Sequence, residues 1–118
     1  MKWTLIQMPT FKNLWQAERL PDEDLQVLES AIMRDPAGNA VMRGTGGLRK
    51  IRFAPPSRSK GKSGSMRVGY AQFPDFGIVL LMVLFLKKDE ENLSQAMRNR
   101  IKKTLEEYRE TLILRGHP

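Results

Sequence analysis

The sequence predicts a small α+β domain of element order β-α-α-β-β-β-α, a mainly antiparallel sheet with helices packed on it. Three observations carry that expectation. Apolar residues recur at one-face helical spacing in segments 10–20, 22–35 and 94–115. Segments 48–54, 66–73 and 78–86 instead read as strands, by alternation or as a short continuous apolar run. The third is size: 118 residues, 41% of them hydrophobic, suit one domain spanning 1–118 with one real core.

Residues 3–8 read as a short edge strand stopped by Pro9. Thr10 is expected to cap a helix carrying Phe11, Leu14 and Trp15, which Pro21 ends. A second helix starts at Pro21-Asp22-Glu23-Asp24, where the acids suit the positive end of the helix dipole. Its stripe is Leu25, Leu28, Ala31 and Ile32, and Asp35-Pro36-Ala37-Gly38 closes it. In the first long strand, 48–54, Ile51 and Phe53 share one face and Lys50 and Arg52 the other. Residues 55–64, Pro-Pro-Ser-Arg-Ser-Lys-Gly-Lys-Ser-Gly, form a basic loop by composition. The return strand, 66–73, sets Met66, Val68 and Tyr70 on one side and Arg67 and Gly69 on the other. Pro74 to Gly77 turns the chain, and 78–86, apolar on both faces, reads as a central strand. The closing helix, about 94–115, carries the stripe Leu93, Met97, Ile101, Leu105, Tyr108 and Leu112, and Gly116 stops it. Ile113 and Leu114 fall outside that stripe and either cap the domain's own core or anchor a partner.

The charge is segregated. Lysine and arginine total 20 against 13 acids, a net charge of +7. Residues 36–74 contain no acid but hold Arg43, Arg49, Lys50, Arg52, Arg58, Lys60, Lys62 and Arg67. If strands 48–54 and 66–73 pair, Lys50, Arg52 and Arg67 converge on one patch able to hold a phosphodiester and stabilise charge developing on it. An ordinary solvated sheet face would mix signs, so the acid-free stretch points to a polyanion, nucleic acid first.

Other chemistries are poorly supported. The absence of cysteine excludes disulfides and thiolate metal sites and suits a reducing compartment. The N-terminus lacks the apolar core of a signal peptide, and the apolar run 78–86 is too short to span a bilayer as a helix, so a cytoplasmic location is expected. Gly44-Thr-Gly-Gly47 precedes a strand rather than a helix, which makes it a tight turn and not a phosphate-binding loop. His117, the only histidine, lies in the terminal tail, and no metal-ligand spacing or Ser-His pair exists. Asp89, Glu90 and Glu91 are accounted for by the electrostatics of a helix start, and Trp3 and Trp15 read as core.

Gly44-Thr-Gly-Gly-Leu-Arg-Lys-Ile-Arg52, the Gly-Lys-Ser-Gly segment at 61–64, Arg67 and Lys87-Lys-Asp-Glu-Glu-Asn-Leu-Ser94 together resemble the RelE superfamily. The HigB toxins of type II toxin–antitoxin systems are the branch they look most like. The resemblance covers nearly the whole chain; the first string is fairly specific, the remaining matches individually weak. It implies a toxin that enters the ribosomal A site and cleaves mRNA without a metal or cofactor, using the RNA's own 2′-hydroxyl. The family's sheet pair of cations matches Lys50 and Arg52, its next-strand arginine Arg67, and its basic loop Lys60 and Lys62. Arg49, Phe85 and Lys87 complete the residues expected to touch RNA. The implied partners are the ribosome, mRNA and an antitoxin encoded next door, with a helix-turn-helix fold; the free toxin is expected to be monomeric, with no membrane association. Many relatives have a tyrosine where this chain has Phe85, and phenylalanine can stack on a base but cannot move a proton. A lysine crowded by the neighbouring cations is one substitute base; which lysine stays open. The competing reading is a non-catalytic member of the same fold that binds RNA or only an antitoxin. A DNA-binding regulator is disfavoured, because the charge sits on strands and no helix-turn-helix spacing is present.

Overall fold

A computed structural model describes residues 2–58, 66–86, 89 and 93–115. Its elements run β1 (Thr4–Gln7), α1 (Pro9–Ala17), α2 (Asp22–Arg34), β2 (Arg49–Phe53), β3 (Met66–Phe73), β4 (Ile78–Leu86) and α3 (Gln95–Leu114), the expected α+β order. The basic segment 59–65, with Lys60 and Lys62, lies outside the described residues, as do Lys87, Glu90, Glu91, Gly116 and His117.

The four strands form one sheet in the order β1-β4-β3-β2. The β2–β3 and β3–β4 pairs are antiparallel, and β1 joins the edge of β4 in parallel. Between the pairs Gly69↔Val83 and Tyr70↔Leu81, Met82 is an extra residue, a β-bulge. The bulge turns both Met82 and Val83 to the α3 face, so β4 changes phase halfway along.

The apolar residues form two clusters, one on each face of the sheet, where the length suggested one. On the first face α1 and α2 bring Phe11, Trp15, Leu20, Leu28 and Ile32 onto Phe53, Met66, Val68, Tyr70, Val79 and Leu81. Trp15 stacks between Phe11 and Phe53 at centroid distances of 5.7 and 6.1 Å. On the second face Ile101, Leu105 and Leu112 of α3 meet Leu48, Ala71, Phe73, Ile78, Leu80 and Met82. β3 and β4 are therefore covered on both sides, which explains the nearly continuous apolar run of β4.

Two helix boundaries differ from the sequence reading. α1 starts at Pro9 rather than behind a Thr10 cap; its N-cap, Met8, makes no side-chain bond. Proline has no N–H to leave unsatisfied at that position, so a side-chain cap is less needed. The same helix ends at Ala17, before Pro21, because Arg19 adopts a left-handed backbone (φ 57°). Its N–H bonds Gln16 O at 2.9 Å while Leu20 N–H reaches Trp15 O at 3.4 Å, the paired closure of a Schellman motif. α3 follows expectation, with the Ser94 hydroxyl accepting from Met97 N–H at 3.1 Å.

Asp24 does more than suit a helix start. It is 2% exposed, and its carboxylate accepts the Ser57 hydroxyl at 2.6 Å and the Ser57 N–H at 3.3 and 3.4 Å. Next to it Arg58 pairs with Glu18 at 2.7 Å. These bonds fasten the chain leaving β2 to the helix layer. Asp24→Ala is expected to lower unfolding free energy by about 2 kcal/mol, the scale of a hydrogen bond to a charged group. Denaturant melts of the two proteins measure it, and an unchanged midpoint would show that the tether is idle.

Candidate nucleic-acid interface

Strand pairing brings the sheet cations together. Arg52 of β2 is the register partner of Arg67 of β3, and Arg67 is the partner of Phe85 of β4. The three form one row across three strands, on the α3 face of the sheet. The adjacent row is Lys50–Gly69–Val83. Like charges directly opposite each other on neighbouring strands are destabilising. Retaining Arg52 against Arg67 thus costs stability, as sites adapted to a charged ligand commonly do.

Exposure varies sharply along the row. Arg52 is exposed, Lys50 and Phe85 are half-buried, and Arg67 is only 6% exposed. Although the sequence sets Arg67 opposite the apolar side of its strand, this burial means that truncating it removes packing as well as charge. Gly69 leaves no void beside it, because a Cβ there would lie 2.7 Å from Val83 Cγ2 and 3.0 Å from Leu48 Cδ2. Phe85 also borders a cavity of about 230 Å³ lined by Leu14, Met66, Leu84, Glu18 and Asp89. Asp89 is thus not explained as a helix-start acid: α3 begins six residues later, with no acid in its first turn. Asp89 instead lines the same cavity as the aromatic residue of the row.

Arg49 is placed elsewhere. Alternation puts it on the face opposite Lys50 and Arg52. There its guanidinium donates to the carbonyls of Ala37 and Asn39 at 3.0 and 2.5 Å. Tyr70, paired with Arg49 in register, donates from its hydroxyl to Pro36 O at 2.6 Å and accepts from Asn39 Nδ2 at 3.1 Å. Burial pushes the Tyr70 phenol above its ordinary pKa, against smaller lowering contributions from Asn39 and Arg49. The pair staples residues 36–39 and stands apart from the cationic row. Neither tyrosine replaces the one missing at Phe85: Tyr70 faces the wrong side, and Tyr108 packs on Phe73 at 5.5 Å, six residues along β3 from Arg67. Burial raises the Tyr108 pKa as well.

The glycine-rich turn is built as expected, around a buried threonine. Gly44, Gly46 and Gly47 have φ of 77°, 74° and 128°, conformations that disfavour other residues. Thr45 Oγ1 donates to Met42 O at 2.7 Å and accepts from Leu48 N–H at 3.0 Å, closing the loop at the head of β2. Among the described residues no three His, Cys, Asp or Glu side chains converge, and no helix is long and apolar enough to cross a membrane.

This combination, a mixed four-stranded sheet with helices on both faces in the order β-α-α-β-β-β-α, is a RelE-like fold. It is similar to the solved structure of the Escherichia coli toxin RelE, a double arginine-to-alanine mutant in the free state. The TM-score is 0.55 and the identity 17%, over 83% of this chain and 97% of that one, a likeness of fold. No family model matches the chain.

Proposed function

We propose that this protein is the toxin of a type II toxin–antitoxin pair, of the HigB-like branch, and a ribosome-dependent mRNA endonuclease. The observation that carries the reading is the row Arg52–Arg67–Phe85 beside Lys50, on a RelE-like sheet. In the reaction the 2′-oxygen attacks the adjacent phosphorus, and the bond to the 5′-oxygen breaks. A 2′,3′-cyclic phosphate and a 5′-hydroxyl result; the 2′-proton leaves to a base and the 5′-oxygen gains a proton. Arg52 and Arg67 stabilise the extra negative charge on the phosphorane, and Phe85 supplies a face on which a base stacks. The half-buried Lys50 adds positive charge beside them. The proton acceptor is a lysine of the cluster or a group the ribosome supplies, because neither tyrosine reaches the row. With a cradle but no complete acid–base pair among the described residues, the protein relies on the ribosome to orient its substrate.

Arg67's burial and the phenylalanine at 85 favour a second reading, a non-catalytic binder of RNA or antitoxin. Induced expression separates the two. The toxin reading expects growth arrest, mRNA cut on translating ribosomes with little cutting of free RNA, and rescue by co-expressing the adjacent gene's product. Ile113 and Leu114, 58% and 86% exposed, do not cap the domain's own core and are available to hold that partner. Undisturbed growth with intact mRNA would leave only the binding reading.

A further inference from the structure

We infer that the RNA-binding surface continues beyond the cationic row, over the glycine-rich turn and onto the first half of α3, where Arg43, Arg98 and Lys102 hold the phosphate backbone of RNA flanking the cleaved bond. The inference rests on the proposed function and concerns a surface separate from the reacting atoms. Three observations carry it.

The turn and the helix form one surface. Arg98 donates to Arg43 O at 2.7 Å and to Leu93 O at 3.1 Å, tying the turn to α3. A Cβ added at Gly46 would stand 2.8 Å from Lys102 Cγ, so the turn's backbone lies directly on that side chain. Arg43 and Lys102 are both exposed and Arg98 half-buried. From Leu48, where the turn ends, β2 runs about 13 Å to Arg52 at ~3.3 Å per residue. That spacing is about two nucleotides of extended RNA backbone.

α3 supplies its own contrast. Residues 93–105 contain Arg98, Arg100, Lys102 and Lys103 and no acid, whereas 106–110 hold Glu106, Glu107, Arg109 and Glu110. The second half has the mixed signs of a solvated helix, and the first does not. Lys102 and Lys103 each have a glutamate four residues on, in the weaker order, and among the described residues no ion pair forms between them. Glu106, the first acid along α3, borders the next cleft with Gly47, Arg49 and Arg109.

At its margin the surface carries a single exposed large apolar side chain, Val41, rather than the apolar cluster that a protein partner would need. Its exposed side chains are Arg43, Gln95, Asn99, Lys102 and Lys103. Met97, the exposed apolar residue of this half-helix, belongs to the opposite flank, beside Met8, Thr10 and Met82. Cations and polar groups around an open backbone suit a phosphate chain rather than an acidic protein.

Fluorescence anisotropy with a labelled 20-nucleotide single-stranded RNA, titrated from low to moderate salt, tests this. Compared with wild type, the Arg43→Ala/Lys102→Ala protein is expected to bind roughly tenfold more weakly near 0.1 M salt. Its log K against log salt should be shallower by about 1.4, the slope of two lost phosphate contacts on a single strand. Circular dichroism confirms the fold of a variant altered only at exposed side chains, and Arg43→Lys/Lys102→Arg should restore binding. A wild type that binds while the double variant keeps its affinity and slope overturns this inference alone. A wild type that binds no RNA overturns this inference too, while growth arrest and cleavage on translating ribosomes decide the proposed function separately. Poly-glutamate binding that matches RNA and shows the same dependence on Arg43 and Lys102 would reassign the surface to an acidic protein.

Discussion

Truncating Arg52 or Arg67 to alanine is expected to slow mRNA cleavage by about 10²–10³-fold each, the loss that follows removal of one preorganised donor to developing negative charge. The two positions test different things. Arg52 is exposed, so its removal takes away charge and little packing. Arg67 is 6% exposed, and its alanine variant also leaves space inside the sheet's covered face. Arg67→Lys separates these effects, because lysine keeps the charge and much of the volume but loses the planar fork that grips two phosphate oxygens. On the proposed mechanism Arg67→Lys remains well below wild type in rate while melting close to it. Single-turnover cleavage on programmed ribosomes, with thermal melts of each variant, provides the comparison. Folded Arg52→Ala and Arg67→Lys proteins that both cut at the wild-type rate would remove the row from the chemistry.

A messenger carrying a single 2′-deoxynucleotide on the 5′ side of the scissile phosphate is expected to resist cleavage altogether. The described residues at the row offer cations and an aromatic ring, and the nucleophile in the proposed reaction is the substrate's own 2′-oxygen. Without it, phosphate stabilisation has no attack to accelerate. The same messenger, all-ribose, should yield a 2′,3′-cyclic phosphate end that resists ligation until the ring is opened and the phosphate removed to leave a 3′-hydroxyl. Cutting of the deoxy substrate at an undiminished rate would mean that water or a side chain attacks, and the mechanism would fall.

Much of the fold was legible in local pattern. The strands at 66–73 and 78–86 match β3 and β4 in both bounds, because β-branched and aromatic residues stop abruptly at Pro74 and Gly77. Alternation alone placed Lys50, Arg52 and Arg67 on one face, and the hairpin register then put Arg52 opposite Arg67. Period and punctuation say nothing, however, about what lies across a strand. The parallel pairing of β1 with β4 joins segments more than seventy residues apart, and no local signal announces it. The bulge at Met82 hid inside an apolar run, where a change of phase leaves no polar residue out of place. Arg49 was grouped with its basic neighbours by composition, although one step along a strand sends it to the other face, where backbone carbonyls hold it.

The sequence by itself determined the element order, the cationic character of one sheet face and the glycine-rich turn at its head. These follow from side-chain periodicity, charge and backbone freedom, which neighbouring residues specify among themselves. Only the tertiary structure decided that Arg67 is buried while Arg52 is open, that Asp24 anchors Ser57, and that the turn lies on the basic half of α3. Those outcomes depend on which distant element comes to rest over each side chain. Exposure and partnership belong to the packed whole, because burial is a relation between surfaces and no stretch of chain carries both of them.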